Sequence, residues 1–233
     1  PVWESDKHYW ENSKETLQFY VDEFKKLKHG VVIDGIKILP ETYFHVNVFK
    51  APIPTLLTNP NTGENYSEDV IQTPPLRDNE WFIIQDSYQR AKKDGKMLFI
   101  AATRRAAKTT FNASHISHGV TIGKDKLVCA GGSATDLGHV KDAILVHFQN
   151  VNPAFRIDRM GTDWEKGVTF GIKNKENKDI TNSILKIANL DAGGNKKSEI
   201  LAGFTPSLFV LDEVMKIPFK SQLEGFKPAL DSP

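Results

Sequence analysis

Two short stretches of the chain carry side chains that could act together on a phosphorylated ligand. In ATRRAAKTT, residues 102–110, Lys108 and Thr109 follow a basic turn. In SLFVLDEV, residues 207–214, Asp212 and Glu213 follow an apolar run. A lysine can contact the outer phosphates of a nucleotide, while a hydroxyl and a carboxylate can hold Mg²⁺. Because a second carboxylate can orient and deprotonate water, the combination predicts a nucleoside triphosphate site.

The first stretch is weaker evidence when it is taken alone, because it lacks the usual glycines. The phosphate-loop pattern GxxxxGK[ST] would place glycine at positions 102 and 107, and both are alanine. If the turn needs a positive φ at Ala107, its Cβ atom costs about 1–2 kcal/mol. That cost is small beside the roughly 8 kcal/mol of micromolar binding. An ordinary basic turn before a helix stays open as the alternative for this stretch.

A phosphate loop must follow a strand and precede a helix, and the flanking sequence predicts both. Further apolar runs and helical patterns alternate along the rest of the chain. The predicted strands are 96–102, 125–132, 154–159, 167–173, 183–190 and 207–214, and the predicted helices are 108–119 and 135–149. Short strands that are apolar on both faces favour a mostly parallel sheet flanked by helices. The fold class is therefore α/β.

The N-terminal part of the chain has a different pattern. A helix is predicted up to Gly30, then extended chain over 31–52 with a hairpin turn at Asp34-Gly35. Prolines make 53–77 an irregular connection, and a helix follows from residue 78 to Gly95. We divide the chain into a small α+β appendage, residues 1–76, and a nucleotide-binding core, residues 77–233.

The composition of the chain bears on whether it binds nucleic acid, contains a disulfide or associates with a membrane. The chain has 233 residues with 30 basic and 29 acidic side chains, so contact with nucleic acid must come from a local patch. The single cysteine, Cys129, excludes an internal disulfide and is expected to be a buried apolar residue. No apolar run approaches the roughly 18 residues of a membrane span. We therefore expect no membrane association.

The two motifs together resemble those of large terminase subunits, the ATPases that package DNA into the heads of tailed phages. TRRAAKTT is similar to the phosphate loop of that family, and ILAGFTPSLFVLDEVMKIPF to its second motif. HGVVIDGIKILPETYFHVNVFKAPIP resembles the branch that includes the crAss-like phages. The resemblance implies a P-loop NTPase fold of the RecA/ASCE type. It departs from the family pattern at Ala107, where the family usually has glycine.

The resemblance also implies a role for each matching residue. Lys108 would contact the β and γ phosphates of ATP, and Thr109 and Asp212 would hold Mg²⁺. Glu213 would be the catalytic base. Arg104 would be a γ-phosphate sensor or an arginine finger acting in cis.

The remaining implied contacts lie along the loop and upstream of it. Gln85 would contact the adenine. The residues that would surround the phosphates are Thr103, Arg104, Arg105, Ala106, Ala107, Lys108, Thr109 and Thr110.

The implied partners are double-stranded DNA, the portal protein and the small terminase subunit. The protein would act as a homo-oligomeric ring in the host cell cytoplasm, and we expect the isolated chain, cut before a nuclease domain, to be monomeric. Two alternatives stay open. One is another nucleic-acid motor of the ASCE class, such as a helicase. The other is a degenerate P-loop module without hydrolysis, which Ala107 favours and the Asp212-Glu213 pair disfavours.

Overall fold

A five-stranded mixed sheet is the main feature of the protein. The computed structural model describes residues 14–96, 98–100, 107–123, 126–173, 179–190 and 204–213. In these ranges the sheet order is β6-β7-β8-β5-β9. Its strands are β5 Lys126–Gly131, β6 Asp158–Met160, β7 Val168–Lys173, β8 Asp179–Asn189 and β9 Leu208–Asp212. The predicted α/β class is confirmed.

The expectation of a mostly parallel sheet is corrected by the strand directions. β5 is parallel to β8 and to β9, whereas β6–β7 and β7–β8 are antiparallel pairs. The segments that join β6 to β7 and β7 to β8 are too short for the crossover helix that a parallel connection needs. Alternating strands and helices predicted the parallel part of the sheet, β8-β5-β9, and an antiparallel meander forms the rest. The strand predicted at 96–102 is not formed at its described residues, 96 and 98–100.

Two helices cover one face of the sheet. These are α5 Lys108–Thr121 and α6 Ala134–Asn150, close to their predicted bounds. Ile116 and Ile144 of the two helices join a single buried cluster with Leu127 and Cys129 of β5. The opposite face of β5 is buried in a second cluster with β8, so this strand is apolar on both faces. None of the helices in the described ranges is both long and apolar enough to cross a bilayer.

The N-terminal region contains short helices and two hairpins. Its elements are α1 Lys14–His29, β1 Val31–Ile33, β2 Ile36–Ile38, α2 Pro40–Asn47, β3 Ala51–Thr58 and β4 Asn65–Gln72. The turn between β1 and β2 has positive φ at Asp34 and Gly35, so the predicted hairpin is confirmed. Two other predictions are wrong: residues 40–47 form a helix, and 51–72 form a regular hairpin.

The start of α2 is stabilised by a residue that is distant in sequence. Leu39, the N-cap residue, makes no side-chain cap. Its backbone N–H donates to Gln85 Oε1 at 2.7 Å, and Thr42 Oγ1 donates to the same oxygen at 2.8 Å. Gln85 Nε2 donates in turn to Lys37 O at 2.9 Å. Pro40 at the first helical position is a local signal for this helix, but the stabilising partner lies on another element and cannot be identified from the local pattern.

Gln85 lies on a continuous helical segment that is distorted in the middle. The segment consists of α3 Asp78–Trp81, a π-helical stretch Phe82–Tyr88 and α4 Gln89–Lys93. The predicted helix from residue 78 is therefore confirmed. The π-helical stretch contacts α2, and Lys92 of α4 also pairs with Glu41 of α2 at 4.0 Å.

The hairpin of β3 and β4, here called the arm, forms despite its prolines. Pro52 and Pro54 are two residues apart, so both can lie on the open edge of a two-stranded ribbon, where no N–H is needed. Asn59 N–H donates to Glu64 O at 2.9 Å, and Gly63 has φ 72°, which closes the turn at the tip. Proline-rich sequence favoured a loop, but the strand register pairs the backbone groups of the two strands that face each other.

The N-terminal region shares its core with the sheet. Phe44 and Phe49 belong to the same buried cluster as the helices that cover β5. Three fully buried histidines pack among these rings: His45 stacks on Phe49, while His118 and His147 both contact Phe44. The division of the chain at residue 76 stays a prediction, but the two sides are packed together.

Candidate functional site

The acidic pair predicted from the sequence lies at the carboxyl end of the sheet. β9 ends at Asp212, which is paired in register with Gly131 at the end of the parallel strand β5. Asp212 is only 6% exposed. The carboxyl edge of parallel strands is where α/β proteins bind ligands, so the strand brings its carboxylates to a suitable place.

The start of α5 lies beside this edge. Ala107 is its N-cap residue and has φ 56° and ψ 23°, the left-handed conformation. This is the position at which the phosphate-loop pattern has glycine. The Cβ atom of alanine makes the left-handed conformation less favourable by about 1–2 kcal/mol. Helix starts attract anions through their free N–H groups and the helix dipole. Residue 107 therefore has a backbone conformation that glycine would adopt at little cost.

Two side-chain contacts join α5 to the acidic pair. Lys108 Nζ donates to Glu213 Oε1 at 3.0 Å in a partly exposed ion pair. Asn112 Nδ2 donates to Asp212 Oδ1 at 3.2 Å. Residues from the two motifs, which lie about a hundred positions apart in the sequence, are thus direct neighbours.

The electrostatics of the site favour a bound cation. Burial raises the pKa of Asp212, and the nearby charges of Glu213 and Asp136 raise it further, while Lys108 opposes them. A carboxylate whose pKa is raised by neighbouring negative charges is stabilised when a positive charge is placed beside it. Glu213 itself has φ 49°, a left-handed conformation that is costly for a side chain of this kind.

The residues present fit Mg²⁺ bound together with a phosphate ligand. Among the described residues no group of three or more His, Cys, Asp or Glu side chains could hold a metal by itself. Mg²⁺ commonly takes one or two protein oxygens and completes its shell with phosphate and water. The buried carboxylate of Asp212 and the hydroxyl of Thr109, on the first turn of α5, supply that type of donor.

The structure brings together only some of the predicted residues. Lys108, Asp212 and Glu213 are in contact or adjacent, and Thr109 and Thr110 follow on the first turn of α5. Gln85 lies against β2 and α2, where its amide makes three hydrogen bonds, and its adenine contact stays a prediction. Four predicted loop residues lie outside the described ranges: Thr103, Arg104, Arg105 and Ala106.

Sequence reasoning missed three residues of the site. Asn112 follows Lys108 by four positions, so both lie on one face of α5, and this spacing was a usable signal. Asp136 lies in the first turn of α6, just after the end of β5. Gly131 ends β5 close to the backbone of Asp212, and nothing local in the sequence indicates that approach.

Gly131→Ala is expected to separate the two strand ends. A Cβ atom at Gly131 would lie 2.9 Å from Asp212 O and 3.2 Å from Leu137 Cδ2. We expect a loss of about 1–3 kcal/mol in the free energy of unfolding, measured by urea denaturation. Gly138→Ala is the matched control, because nothing lies within 4 Å and alanine favours the helix by up to about 1 kcal/mol. A Gly131→Ala protein as stable as the parent would contradict the close approach.

Comparison with known proteins adds no assignment to this geometry. No protein-family model matches the chain. No curated protein is significantly similar to it. The contacts between α5 and the end of β9 are therefore the features of the chain that bear on its function.

Proposed function

We propose that this chain is the ATPase domain of a large terminase subunit, with a P-loop NTPase fold of the RecA/ASCE type. The observation that carries the proposal is the contact of Lys108 with Glu213 directly after a left-handed residue 107. A helix start, a lysine and an acidic strand end are the parts that phosphoryl-transfer sites combine. Their meeting at one sheet edge supports a shared ligand.

Each residue then has a role that follows from its chemistry. Lys108 binds the outer phosphates, and it exchanges the carboxylate of Glu213 for a phosphate oxygen when the nucleotide enters. This exchange frees Glu213 to accept the proton of the attacking water. Thr109 and Asp212 hold Mg²⁺, which when bound neutralises charge on the phosphate oxygens. The backbone N–H groups at the start of α5 orient the phosphates.

The wider role in this proposal is translocation of double-stranded DNA into a procapsid. The partners would be the portal protein and the small subunit, and the protein would assemble as a ring in the host cytoplasm. These statements depend on the resemblance of the two motifs. A helicase-like motor would use the same residues, and only its nucleic-acid substrate would differ.

A second candidate is a degenerate P-loop module that binds nucleotide weakly and does not hydrolyse it. Ala107 favours this candidate, because a left-handed alanine strains the loop. The buried Asp212 beside Glu213 argues against it. A second negative charge next to a buried carboxylate is unfavourable, and a site that does not hydrolyse the nucleotide has no use for Glu213.

Calorimetric titration of Mg²⁺ with a slowly hydrolysed ATP analogue tests the proposal. We expect binding by the parent and no detectable binding by Lys108→Ala. Ala107→Gly should bind at least as tightly as the parent, and its gain should appear in the free energy of unfolding, because residue 107 is already left-handed before the nucleotide enters. Lys166→Ala is the matched control, since Lys166 is also ion-paired with a carboxylate, at 3.4 Å from Asp163. Binding that survives Lys108→Ala, or that is absent from both the parent and Ala107→Gly, would contradict a phosphate loop here.

A further inference from the structure

Asn112 makes a contact that neither of the two motifs accounts for. It lies one turn after Lys108, on the same face of α5, and its amide reaches the carboxyl end of β9. Its Nδ2 donates to Asp212 Oδ1 at 3.2 Å, in a partly buried setting. Two side chains on one face of α5 thus contact the acidic pair: Lys108 contacts Glu213, and Asn112 contacts Asp212.

The amide has properties that suit it to orienting a carboxylate. It is neutral, so it does not compete with a cation for the charge of Asp212, as a lysine would. It contacts one carboxylate oxygen and leaves Oδ2 for another partner. Thr109 and Asn112 lie on the same helix, and Asn112 holds the carboxylate of Asp212. The position of that carboxylate relative to the hydroxyl of Thr109 is therefore fixed by the helix.

We propose that Asn112 is a positioning residue that orients the Asp212 carboxylate toward a divalent cation. The identity of the cation site rests on the proposed function, whereas the contact between the two side chains does not. The helix start then contributes to the site twice: it presents groups to the ligand, and through Asn112 it aligns the strand's carboxylate. No charged residue is needed for this second task.

Binding of Mn²⁺, followed by electron paramagnetic resonance with and without ADP, tests the proposal. Asn112→Leu keeps the shape of the side chain and removes the donor, and we expect about tenfold weaker Mn²⁺ binding, the size of one lost hydrogen bond to a charged group. Affinity for ADP without metal should stay within about twofold of the parent, since the amide contacts no phosphate in this proposal. Asn112→Gln retains a donor and should restore part of the Mn²⁺ affinity.

Asn150→Leu is the control, because Asn150 also donates its amide, to Val146 O of its own helix at 2.8 Å. Asp212→Asn identifies the site, and it should abolish the tight Mn²⁺ signal. If Asn112→Leu binds Mn²⁺ as the parent does, or if Mn²⁺ binding does not depend on Asp212 in either condition, the positioning role is overturned. A protein that binds no nucleotide, yet binds Mn²⁺ through Asp212 with the expected effect of Asn112→Leu, contradicts the ATPase alone.

Discussion

Replacement of Glu213 by glutamine should lower the rate of ATP hydrolysis at least about 100-fold, the usual contribution of a general base. Glutamine keeps the shape of the side chain but cannot accept a proton from water. Binding of the nucleotide should not weaken. Lys108, which is 3.0 Å from Glu213 Oε1, loses its charged partner and becomes more available to the phosphates. Steady-state release of phosphate gives the rate, and calorimetry gives the affinity.

A matched variant separates this effect from a general loss of charge. Glu165 is an exposed acid in the turn before β7, and Glu165→Gln should hydrolyse ATP as the parent does. The comparison uses the ratio of rates between variants, so it holds even when the absolute rate is slow. Equal rates for the parent and Glu213→Gln would remove the enzymatic interpretation and leave the nucleotide-binding module.

Acid should destabilise the protein through its buried histidines. Burial lowers the pKa of His45 to about 4 and that of His147 to about 3, and Lys50 adds to the effect on His147. Histidine in the unfolded chain has a pKa near 6.5, so below that pH the unfolded chain binds protons at these positions and the folded chain does not. Stability is therefore complete above about pH 6.5 and is lost as the pH falls below it. At pH 5 the two histidines together should cost about 4 kcal/mol.

Urea denaturation at pH 7 and pH 5 measures this loss. His147→Gln should remove about half of the pH dependence, because glutamine does not titrate and its oxygen can still accept the N–H of Lys50. In the parent that N–H donates to His147 Nδ1 at 3.1 Å. His139→Gln is the control on the same helix, since His139 is exposed. If His147→Gln loses as much stability as the parent between the two pH values, His147 is not a cause of the pH dependence.

The parts of the fold that depend on nearby residues were predictable from the sequence. The helix after Lys108, the strand β5 and the strand before Asp212 all follow from apolar patterns and their breaks. So does the turn at Asp34-Gly35, whose residues favour positive φ. Where α2 begins, however, the backbone donor is satisfied by Gln85, which lies far along the chain. No window of local sequence contains that information.

The candidate site shows the same division. Lys108, Asp212 and Glu213 were predictable because their types and order match a known chemistry. The sequence suggested that these residues meet, but it could not give the distances between them. The hydrogen bond of Asn112 to Asp212 was not predictable, because it depends on how α5 packs beside β9. The sequence could not predict the left-handed backbone conformation at Ala107, because alanine does not require that conformation.

The arm has a consequence for proteolysis. From Ala51 to Leu76 the chain contains neither lysine nor arginine, so trypsin has no site within the arm. Its nearest sites follow Lys50, whose backbone N–H is bonded to the buried His147, and Arg77, whose carbonyl accepts from Trp81 at the start of α3. Trypsin needs an extended backbone at both points. Release of the intact peptide 51–77, followed by mass spectrometry, therefore reports how often the core beneath the arm opens.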